Sequence, residues 1–272
     1  MMVTHLPKKP VFDERNLMFS QLDLPKELIG RRALVTGGSR GIGAAIAQRF
    51  LDAGARVVVA ARSRSETAPA AATFVTGDIR SSEGVKSIAA ATLAALGGLD
   101  ILVNNAGGSR DLGVFHGGSA TIPDEDWQDT FALHLFSVIG LTNALLPALR
   151  QSKAAAVVNI SSIAATMSFG PTAHYGAAKA ALDAYSRTLA VELAPSGVRV
   201  NVVSPGPIST PSADELRKKF PGIADDAWLQ MVPLGRIGTT DDIAEVVALL
   251  ASDRGKWLTG VNYRVDGGVT AR

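Results

Sequence analysis

Short runs of β-branched and other apolar residues alternate along this chain with longer, alanine-rich stretches. This alternation is typical of βαβ units, in which helices connect parallel strands. It predicts the α/β fold class, with a doubly wound parallel sheet of seven strands. The predicted strands are Ala33–Thr36, Arg56–Ala60, Ala72–Val75, Ile101–Asn104, Ala156–Ser161, Arg199–Ser204 and Tyr263–Val265.

Helical periodicity predicts helices at residues 42–53, 81–96, 124–150, 173–194 and 239–252, with a pair of short ones near 212–230. The stretch "WQDTFALHLFSVIGLTNALLPALR", within the third of them, is apolar on nearly every face. A helix that packs only on a sheet needs a single apolar face. The excess predicts either a subunit interface or burial beneath other elements, and both interpretations stay open at this point.

Composition limits the remaining possibilities. The chain has 272 residues and no Pro/Gly/Ser-rich linker, which predicts one domain. Lysines and arginines are scattered and the formal net charge is +2, which argues against a nucleic-acid partner. The chain contains no cysteine, which excludes disulfides, thiolate metal sites and cysteine nucleophiles. No metal site is predicted.

The first 30 residues lack the apolar core of a signal peptide, and no run of about 18 apolar residues occurs. We therefore expect a soluble, cytoplasmic protein without a membrane partner. The domain is expected at residues 31–272, preceded by an N-terminal arm at residues 1–30.

The segment "RRALVTGGSRGIGAAIAQRF" reads as a strand, a turn and a helix, with Gly37, Gly41 and Gly43 at the turn. Glycines at such a turn let backbone N–H groups and the helix N-terminus approach a pyrophosphate without interference from a Cβ. A glycine cluster alone is weak evidence, since many strand-to-helix turns need positive φ. Its position directly after the first strand favours a dinucleotide site.

Six further segments accompany this T-G-x-x-x-G-I-G turn: "GDIR" at 77–80, "NNAG" at 104–107, "NISS" at 159–162, "YGAAK" at 175–179, "SPGPIST" at 204–210 and "VDGG" at 265–268. In this order they resemble the motifs of the classical short-chain dehydrogenases/reductases, in particular 3-oxoacyl-ACP reductase-like members, over about residues 31–268. The resemblance implies a Rossmann-type fold, a nicotinamide-dependent oxidoreductase acting on a small ketone or alcohol, and a homotetramer.

Tyr175 and Lys179 are one helical turn apart and share a helix face. The resemblance implies that Tyr175 is the general acid/base and that Lys179 holds the nicotinamide ribose. The lysine charge is also expected to lower the pKa of the phenol below its ordinary value of about 10. Ser162 would polarise the reacting oxygen. Ser161 is the competing candidate, because adjacent strand residues point to opposite faces.

The resemblance also implies a set of cofactor-binding residues. Asp78 would contact the adenine, and Thr210 would either bond the nicotinamide carboxamide or cap a short helix near Ser212. The full set is Gly37, Ser39, Arg40, Gly41, Ile42, Gly43, Arg62, Asp78, Ile79, Asn105, Ala106, Gly107, Tyr175, Lys179, Pro205, Gly206, Ile208 and Thr210.

The end of the second strand bears on the choice of nicotinamide cofactor. An acidic residue there would bond the ribose 2′-OH and repel a 2′-phosphate. This chain has Ala61 at that position, with Arg40 and Arg62 where NADP-preferring relatives carry basic residues. NADP(H) is therefore predicted, with NAD(H) as the alternative. Two guanidiniums could bracket the phosphate, although both arginines could equally be ordinary surface residues.

One position departs from the family pattern. Relatives carry an asparagine about 28 residues before the serine, where it supports a water in a proton relay, and this chain has His134. An imidazole can hold the same water or carry the proton itself. The alternative is a satisfied core residue. A relay through His134 predicts a histidine-like ionisation in the rate, moved to lower pH by burial.

The segment at residues 207–236 is predicted to form a lid over the substrate. Its candidate lining residues, with those of the pocket beneath, are Met167, Phe169, His174, Trp228 and Met231. They favour a modest hydrophobic ketone or alcohol. Two other functions are disfavoured. A non-catalytic nucleotide sensor would typically have lost the Tyr–Lys pair, and a dehydratase or epimerase would have a different glycine spacing.

Overall fold

A computed structural model describes residues 26–107, 118–168, 172–211, 213 and 229–271. Its centre is a seven-stranded sheet in the order β3-β2-β1-β4-β5-β6-β7, and every neighbouring pair is parallel. The strands are β1 (Arg32–Thr36), β2 (Arg56–Ala61), β3 (Thr73–Thr76), β4 (Ile101–Asn104), β5 (Ala156–Ile160), β6 (Arg199–Pro205) and β7 (Asn262–Val265). The predicted fold class is confirmed, and each strand lies within two residues of its predicted bounds.

Helices cover both faces of this sheet. They are α1 (Gly41–Asp52), α2 (Ser82–Leu96), α3 (Asp124–Phe131), α4 (Ser137–Arg150), α5 (Ala173–Leu193) and α6 (Thr240–Ala251). Helices α1 and α6 pack with one apolar core, and α2, α4 and α5 pack with the other. Because both faces are covered, β1 is buried at every position from Ala33 to Thr36, which explains the apolar run at Ala33–Val35. The predicted short helices near 212–230 lie largely outside the described residues.

The predicted helix at 124–150 is continuous but not uniform. Between α3 and α4, residues Ala132–Phe136 form a π-helical turn, and Ser137 Oγ donates a hydrogen bond to the Leu133 carbonyl at 2.6 Å. The 27-residue stretch is long and apolar enough to cross a membrane by length and composition alone. A core helix passes the same test, and Leu141, Leu145 and Leu149 are fully buried in the second core. Burial thus explains one apolar face, whereas Phe136 is 59% exposed.

The packed body begins before the predicted boundary at residue 31. Leu28 is fully buried in the first core, and its N–H donates to the Ala53 carbonyl at 3.0 Å. Glu27 accepts a 2.7 Å ion-pair bond from Arg49, a buried residue of α1. The described part of the predicted arm therefore belongs to the folded unit. Residues 1–25 lie outside the described ranges.

Strand order fixes the position of the site. The chain moves outward from β1 to β3 and then returns to place β4 on the other side of β1. At such a reversal the connections leave in opposite directions and open a crevice at the carboxyl ends of the strands. The segments after β1, β4, β5 and β6, which carry most of the predicted site residues, meet at this edge.

Candidate active site

The turn after β1 is shaped for close approach by a ligand. Gly37 has a φ of 65° and Gly41 a φ of 56°, conformations that favour glycine. A Cβ on Gly43, in the first turn of α1, would collide with the Gly37 carbonyl and the Asn105 side-chain amide. The first turn of α1 therefore packs its backbone directly against the glycine turn and Asn105. Such a helix N-terminus stabilises phosphate through its N–H groups and dipole.

The turn after β4 docks directly onto this glycine turn. Thr36 Oγ1 accepts hydrogen bonds from the backbone N–H groups of Asn105 and Ala106, both at 3.0 Å, and donates to the Val103 carbonyl at 3.3 Å. Asn105 Nδ2 donates to the Thr36 carbonyl at 2.9 Å. The "NNAG" and glycine motifs, remote in sequence, thus form one wall of the crevice.

Three arginines and the carboxylate of Asp78 lie near the end of β2 and the glycine turn. Ala61 is the last residue of β2, and Arg62 follows it exposed. Arg40, also exposed, precedes the first residue of α1. Hydrogen bonds from Arg80 lower the pKa of Asp78 against the effect of burial, and the charge of Arg62 contributes in the same direction. The Asp78 carboxylate predicted to contact adenine is thus bonded to Arg80 at 2.8 Å.

The loop after β2 is fastened to the glycine turn. Thr67 Oγ1 donates a hydrogen bond to the carbonyl of Ser39, a buried residue, at 3.2 Å. Of the other predicted contacts here, Ile42 and Ile79 are partly buried against the two cores. The loop that carries Arg62 is therefore held beside the glycine turn.

Tyr175 and Lys179 lie on α5, and Ser162 follows β5 opposite them. The Ser162 hydroxyl lies close enough to Tyr175 to lower the pKa of the phenol, and Ser162 Oγ accepts from the Ala164 N–H at 3.1 Å. Ser161 points elsewhere, and its hydroxyl donates to the Lys179 carbonyl at 3.4 Å. Of the two candidate serines, Ser162 is therefore the one beside the phenol.

Burial controls the charges of this pair. Burial raises the pKa of Tyr175, and the nearby Ser162 hydroxyl only partly opposes this rise. Burial also lowers the pKa of Lys179 to about 8. Lys179 Nζ donates to the Ile160 carbonyl at 2.8 Å and lies 5.8 Å from the centre of the Tyr175 ring. The expected lowering of the phenol pKa by the ammonium is thus wrong, because burial has the largest effect and the opposing contribution comes from Ser162 and not from Lys179.

His134 lies in the π-helical turn and is 3% exposed. Its ring contacts Tyr175 edge to face, with ring centres 5.1 Å apart. It also packs on Gly107, where a Cβ would be 2.9 Å from Nδ1. Among the residues the structure describes, no hydrogen-bond partner faces the buried Nδ1. The position predicted for the relay group is therefore at the site and carries an unbonded ring nitrogen.

The pKa of His134 lies well below its ordinary value. Burial lowers its pKa to about 2, and the charges of Lys179 and His174 act in the same direction. The imidazole is therefore neutral throughout the ordinary working range of pH. Burial thus moves this ionisation to lower pH, which is the expected direction, and takes it below the range between pH 5 and 9.

Other predicted residues have more local environments. Pro205 ends β6, Gly206 packs on Asp266, and Ile208 is buried beside Gly238. Thr210 Oγ1 accepts from the Ala213 N–H at 3.1 Å, the geometry of its alternative capping role, and its side chain packs on Gly41.

The predicted substrate-pocket residues are only partly described. Met167 and Met231 pack on a small apolar cluster of Ile163, Val232 and Val269. His174 is buried, with its ring 6.1 Å from Trp127. Phe169, Trp228 and most of the predicted lid lie outside the described residues.

Sequence reasoning missed Thr36 and Thr67, whose hydroxyls fasten segments to the glycine turn. Thr36 immediately precedes Gly37, so its position in the motif was the available signal. Thr67 lies in a loop with no pattern that marks it. It also missed Asp183, one helical turn beyond Lys179, which the four-residue spacing from Tyr175 would have indicated.

Comparison with known sequences places these features in a family. A family model described as enoyl-(acyl carrier protein) reductase matches residues 37–270. The 3-oxoacyl-[acyl-carrier-protein] reductase FabG of Escherichia coli (strain K12) is 37% identical over 249 residues, covering 88% of this chain and 97% of the relative. The enzyme of the same name from Chlamydia muridarum is 32% identical over 252 residues, covering 89% and 98%.

Solved structures give the same result for the fold. The ligand-free aldohexose dehydrogenase of Thermoplasma acidophilum superposes with a TM-score of 0.81 at 28% identity, covering 91% of this chain and 96% of that one. Levodione reductase superposes with a TM-score of 0.81 at 27% identity, covering 89% and 98%. The similarity thus extends over nearly the whole chain.

Proposed function

Since this chain belongs to the short-chain dehydrogenase/reductase family and is a hydride-transferring oxidoreductase, we propose that it transfers hydride between NADP(H) and a ketone or secondary alcohol through Ser162, Tyr175 and Lys179. The observation that carries this proposal is that the hydroxyls of Ser162 and Tyr175 lie close together. Lys179, which is buried, follows Tyr175 by one turn of α5. Two hydroxyls at one point suit a single substrate oxygen.

The crevice fits a dinucleotide. The first turn of α1 packs so closely on the glycine turn that a Cβ on Gly43 would collide with the Gly37 carbonyl, and the turn after β4 supports this arrangement through Thr36. When bound, the nicotinamide supplies or accepts the hydride. Gly37, Gly41 and Gly43 would hold the pyrophosphate, and Lys179 would hold the nicotinamide ribose.

Proton transfer falls to Tyr175. Because burial raises its pKa, the phenol is protonated near neutrality and is suited to donate a proton to a carbonyl oxygen as that oxygen gains charge. Ser162 would donate a second hydrogen bond to the same oxygen. A protonated phenol suits the reductive direction, and the oxidative direction requires the charge of Lys179 to favour the phenolate.

His134 is proposed to serve this proton path as a neutral imidazole. It contacts Tyr175, and its buried Nδ1 has no bonding partner in the described part of the chain. A neutral imidazole donates from one nitrogen and accepts at the other. It would therefore hold the relay water that relatives hold with asparagine.

Cofactor preference is proposed to favour NADP(H) on the basis of Ala61, Arg40 and Arg62. No carboxylate ends β2, and both arginines are exposed near the end of β2 and the glycine turn. Ala61→Asp is expected to reverse the preference, because a carboxylate repels the 2′-phosphate and bonds a 2′-OH. Fluorescence titrations of the parent with NADPH and NADH test this directly, and equal dissociation constants would contradict it.

Carbonyl reduction is favoured over alkene reduction. The family model is described for an enoyl reductase and the curated relatives for 3-oxoacyl substrates, so both chemistries need consideration. Alkene reduction places the final proton on carbon, whereas carbonyl reduction places it on oxygen. The convergent hydroxyls of Ser162 and Tyr175 suit oxygen. The apolar cluster that begins at Ile163 suits an acyl chain or another hydrophobic ketone.

Turnover measurements test the proposal. Reduced-nicotinamide absorbance is followed with 3-oxoacyl and enoyl thioesters, levodione, an aldohexose and simple ketones. In Tyr175→Phe we expect turnover of the best substrate to fall about 10²–10⁴-fold with cofactor affinity retained. Tyr185→Phe, on the same helix but packed in the second core, is the control. Near-parental turnover in Tyr175→Phe would refute the assignment.

The enzyme is further proposed to be a cytoplasmic homotetramer. The helical stretch that begins at Asp124 leaves the large apolar side chain of Phe136 exposed, which supports contact with another subunit.

A further inference from the structure

Helix α5 carries a third ionisable group in line with the proposed catalytic pair. Tyr175, Lys179 and Asp183 follow one another at intervals of four residues, which places them on one face of the helix. Asp183 is only 6% exposed. A carboxylate so deeply buried is costly unless neighbouring groups stabilise its charge.

The contacts of Asp183 are few and specific. Its Oδ2 accepts a 2.8 Å hydrogen bond from Asn262 Nδ2, at the start of β7. Its Oδ1 is buried and, within the described ranges, accepts no bond of good geometry. The Ser161 hydroxyl lies close enough to favour the charged carboxylate. One carboxylate oxygen thus remains available to a neighbouring charge.

The charges that face Asp183 are positive. Burial raises the pKa of Asp183, and Ser161, Lys179, Arg187 and Asn262 oppose the rise. Reciprocally, burial lowers the pKa of Lys179, and the charge of Asp183 opposes that change. Each ion therefore favours the charged form of the other.

Lys179 has described neighbours on β5, on the π-helical turn and along α5. From β5 it meets the Ile160 carbonyl and Ser161, and the π-helical turn contributes the neutral His134. Along α5 the phenol of Tyr175 lies on one side and Asp183 on the other. Among these described neighbours, Asp183 is the only anion.

We propose that Asp183 is a positioning residue for Lys179: its buried carboxylate keeps the lysine charged, so that the ammonium can serve Tyr175 and the cofactor ribose. The proposal rests on the function proposed above for Lys179. Asp183 would thus have two roles. Its hydrogen bond to Asn262 joins α5 to β7, and its charge stabilises the charged form of Lys179.

Asp183→Asn separates the two roles. The amide oxygen of the new side chain still accepts from Asn262, so the tie is retained while the charge is lost. Lys179 is observed directly by NMR of protein with labelled lysine side chains, assigned with Lys179→Arg, in a pH titration without cofactor. We expect the pKa of Lys179 to fall by about one pH unit in Asp183→Asn, at the lower end of the effect of a close opposite charge.

Glu192→Gln is the matched control, because it removes a carboxylate from the exposed side of the same helix. Its effect on Lys179 should be negligible, since solvent screens the charge. An unchanged Lys179 titration in folded Asp183→Asn would overturn the proposal. If that variant does not fold, the Asp183 carboxyl carbon is followed in the parent. A step in its shift as Lys179 deprotonates supports the coupling, and its absence overturns it.

Enzyme kinetics then connect the charge to the reaction. The limb of the pH–rate profile that reports Lys179 should move with the titration in Asp183→Asn. Asn262→Ala, which loosens the tie but keeps the charge, should move it far less. Lys179→Met tests the proposed function separately. If this variant keeps parental turnover, the proposed function is refuted. The electrostatic role of Asp183 would still hold if the Lys179 titration shifts in Asp183→Asn.

Discussion

Two arginine–aspartate pairs near the amino ends of the strands, opposite the candidate site, allow the effect of burial on the stability contributed by an ion pair to be measured. Arg32 Nε donates to Asp100 Oδ2 at 2.9 Å, and the Asp100 side chain is 10% exposed. The preceding residue, Arg31, bonds Asp253 at 2.8 Å, but the Asp253 side chain is 73% exposed. Adjacent arginines thus make similar bonds in different surroundings, and Asp→Asn at each pair is the informative perturbation.

The expected magnitude follows from the ionisation of Asp100. Burial alone would raise its pKa, but bonds from Arg32 and Ser152 prevail and lower it from 3.8 to about 2. A difference of about two pH units corresponds to roughly 2–3 kcal/mol of stabilisation of the folded, charged form. We expect Asp100→Asn to lose about that much free energy of unfolding at pH 7. The exposed Asp253→Asn should lose less than about 1 kcal/mol.

The dependence on pH carries a definite sign. Because the folded pKa of Asp100 lies below its unfolded value, its contribution is fully present above pH 3.8 and is lost as pH falls towards 2. The gap between the parent and Asp100→Asn should therefore narrow over this acid range and stay constant above it.

Urea unfolding followed by circular dichroism, at one subunit concentration for all variants, measures both effects. Equal losses in the two variants at pH 7 would refute the dependence on burial. A parent–Asp100→Asn gap that does not narrow below pH 4 would show that Asp100 is not held ionised by Arg32.

Three further outcomes are expected. Gly43→Ala should lose about 1–3 kcal/mol of stability through overpacking and should bind the cofactor more weakly. Gly140→Ala in α4, where a Cβ has ordinary contacts, should change neither property. Equal unfolding midpoints and equal cofactor dissociation constants for the two variants would contradict this expectation. His134→Leu should slow turnover at least about tenfold while His134→Asn keeps the parental profile from pH 5 to 9, and a leucine variant as fast as the parent would reduce His134 to a core residue. Phe136→Asp should lower the mass measured by analytical ultracentrifugation, and an unchanged tetramer would place the interface elsewhere.

The sheet could be predicted because parallel strands buried on both faces are almost uniformly apolar. Residues 101–104 illustrate this, since their predicted and observed bounds coincide. The packing of Leu28 escaped prediction, because the two adjacent apolar residues Leu28 and Ile29 are too short a run to show a period. The π-helical turn around His134 escaped it as well, since a one-residue change in hydrogen bonding leaves the apolar pattern intact.

The site was predictable in its residue types but not in its energetics. Motif spacing placed Ser162, Tyr175 and Lys179 together, while the choice between Ser161 and Ser162 needed the actual direction of each side chain. The charges were harder. Sequence proximity suggested that Lys179 would dominate the pKa of Tyr175, yet the surrounding side chains exclude water and the desolvation cost prevails. Burial is a property of the whole fold and not of a motif.

The hydroxyl of Thr36 has a consequence for the order in which this protein matures during synthesis. It joins the turn after β1 to backbone groups about 70 positions later, since Thr36 and Asn105 are 69 residues apart. At about 5–20 residues per second, the ribosome needs roughly 3–14 s to make the intervening chain. During that interval β1 lacks one neighbouring strand and the glycine turn lacks its support. A nascent chain that ends before β4 should therefore be unable to use the nucleotide as a folding template, and its exposed strand edge becomes the point at which a chaperone has most to protect.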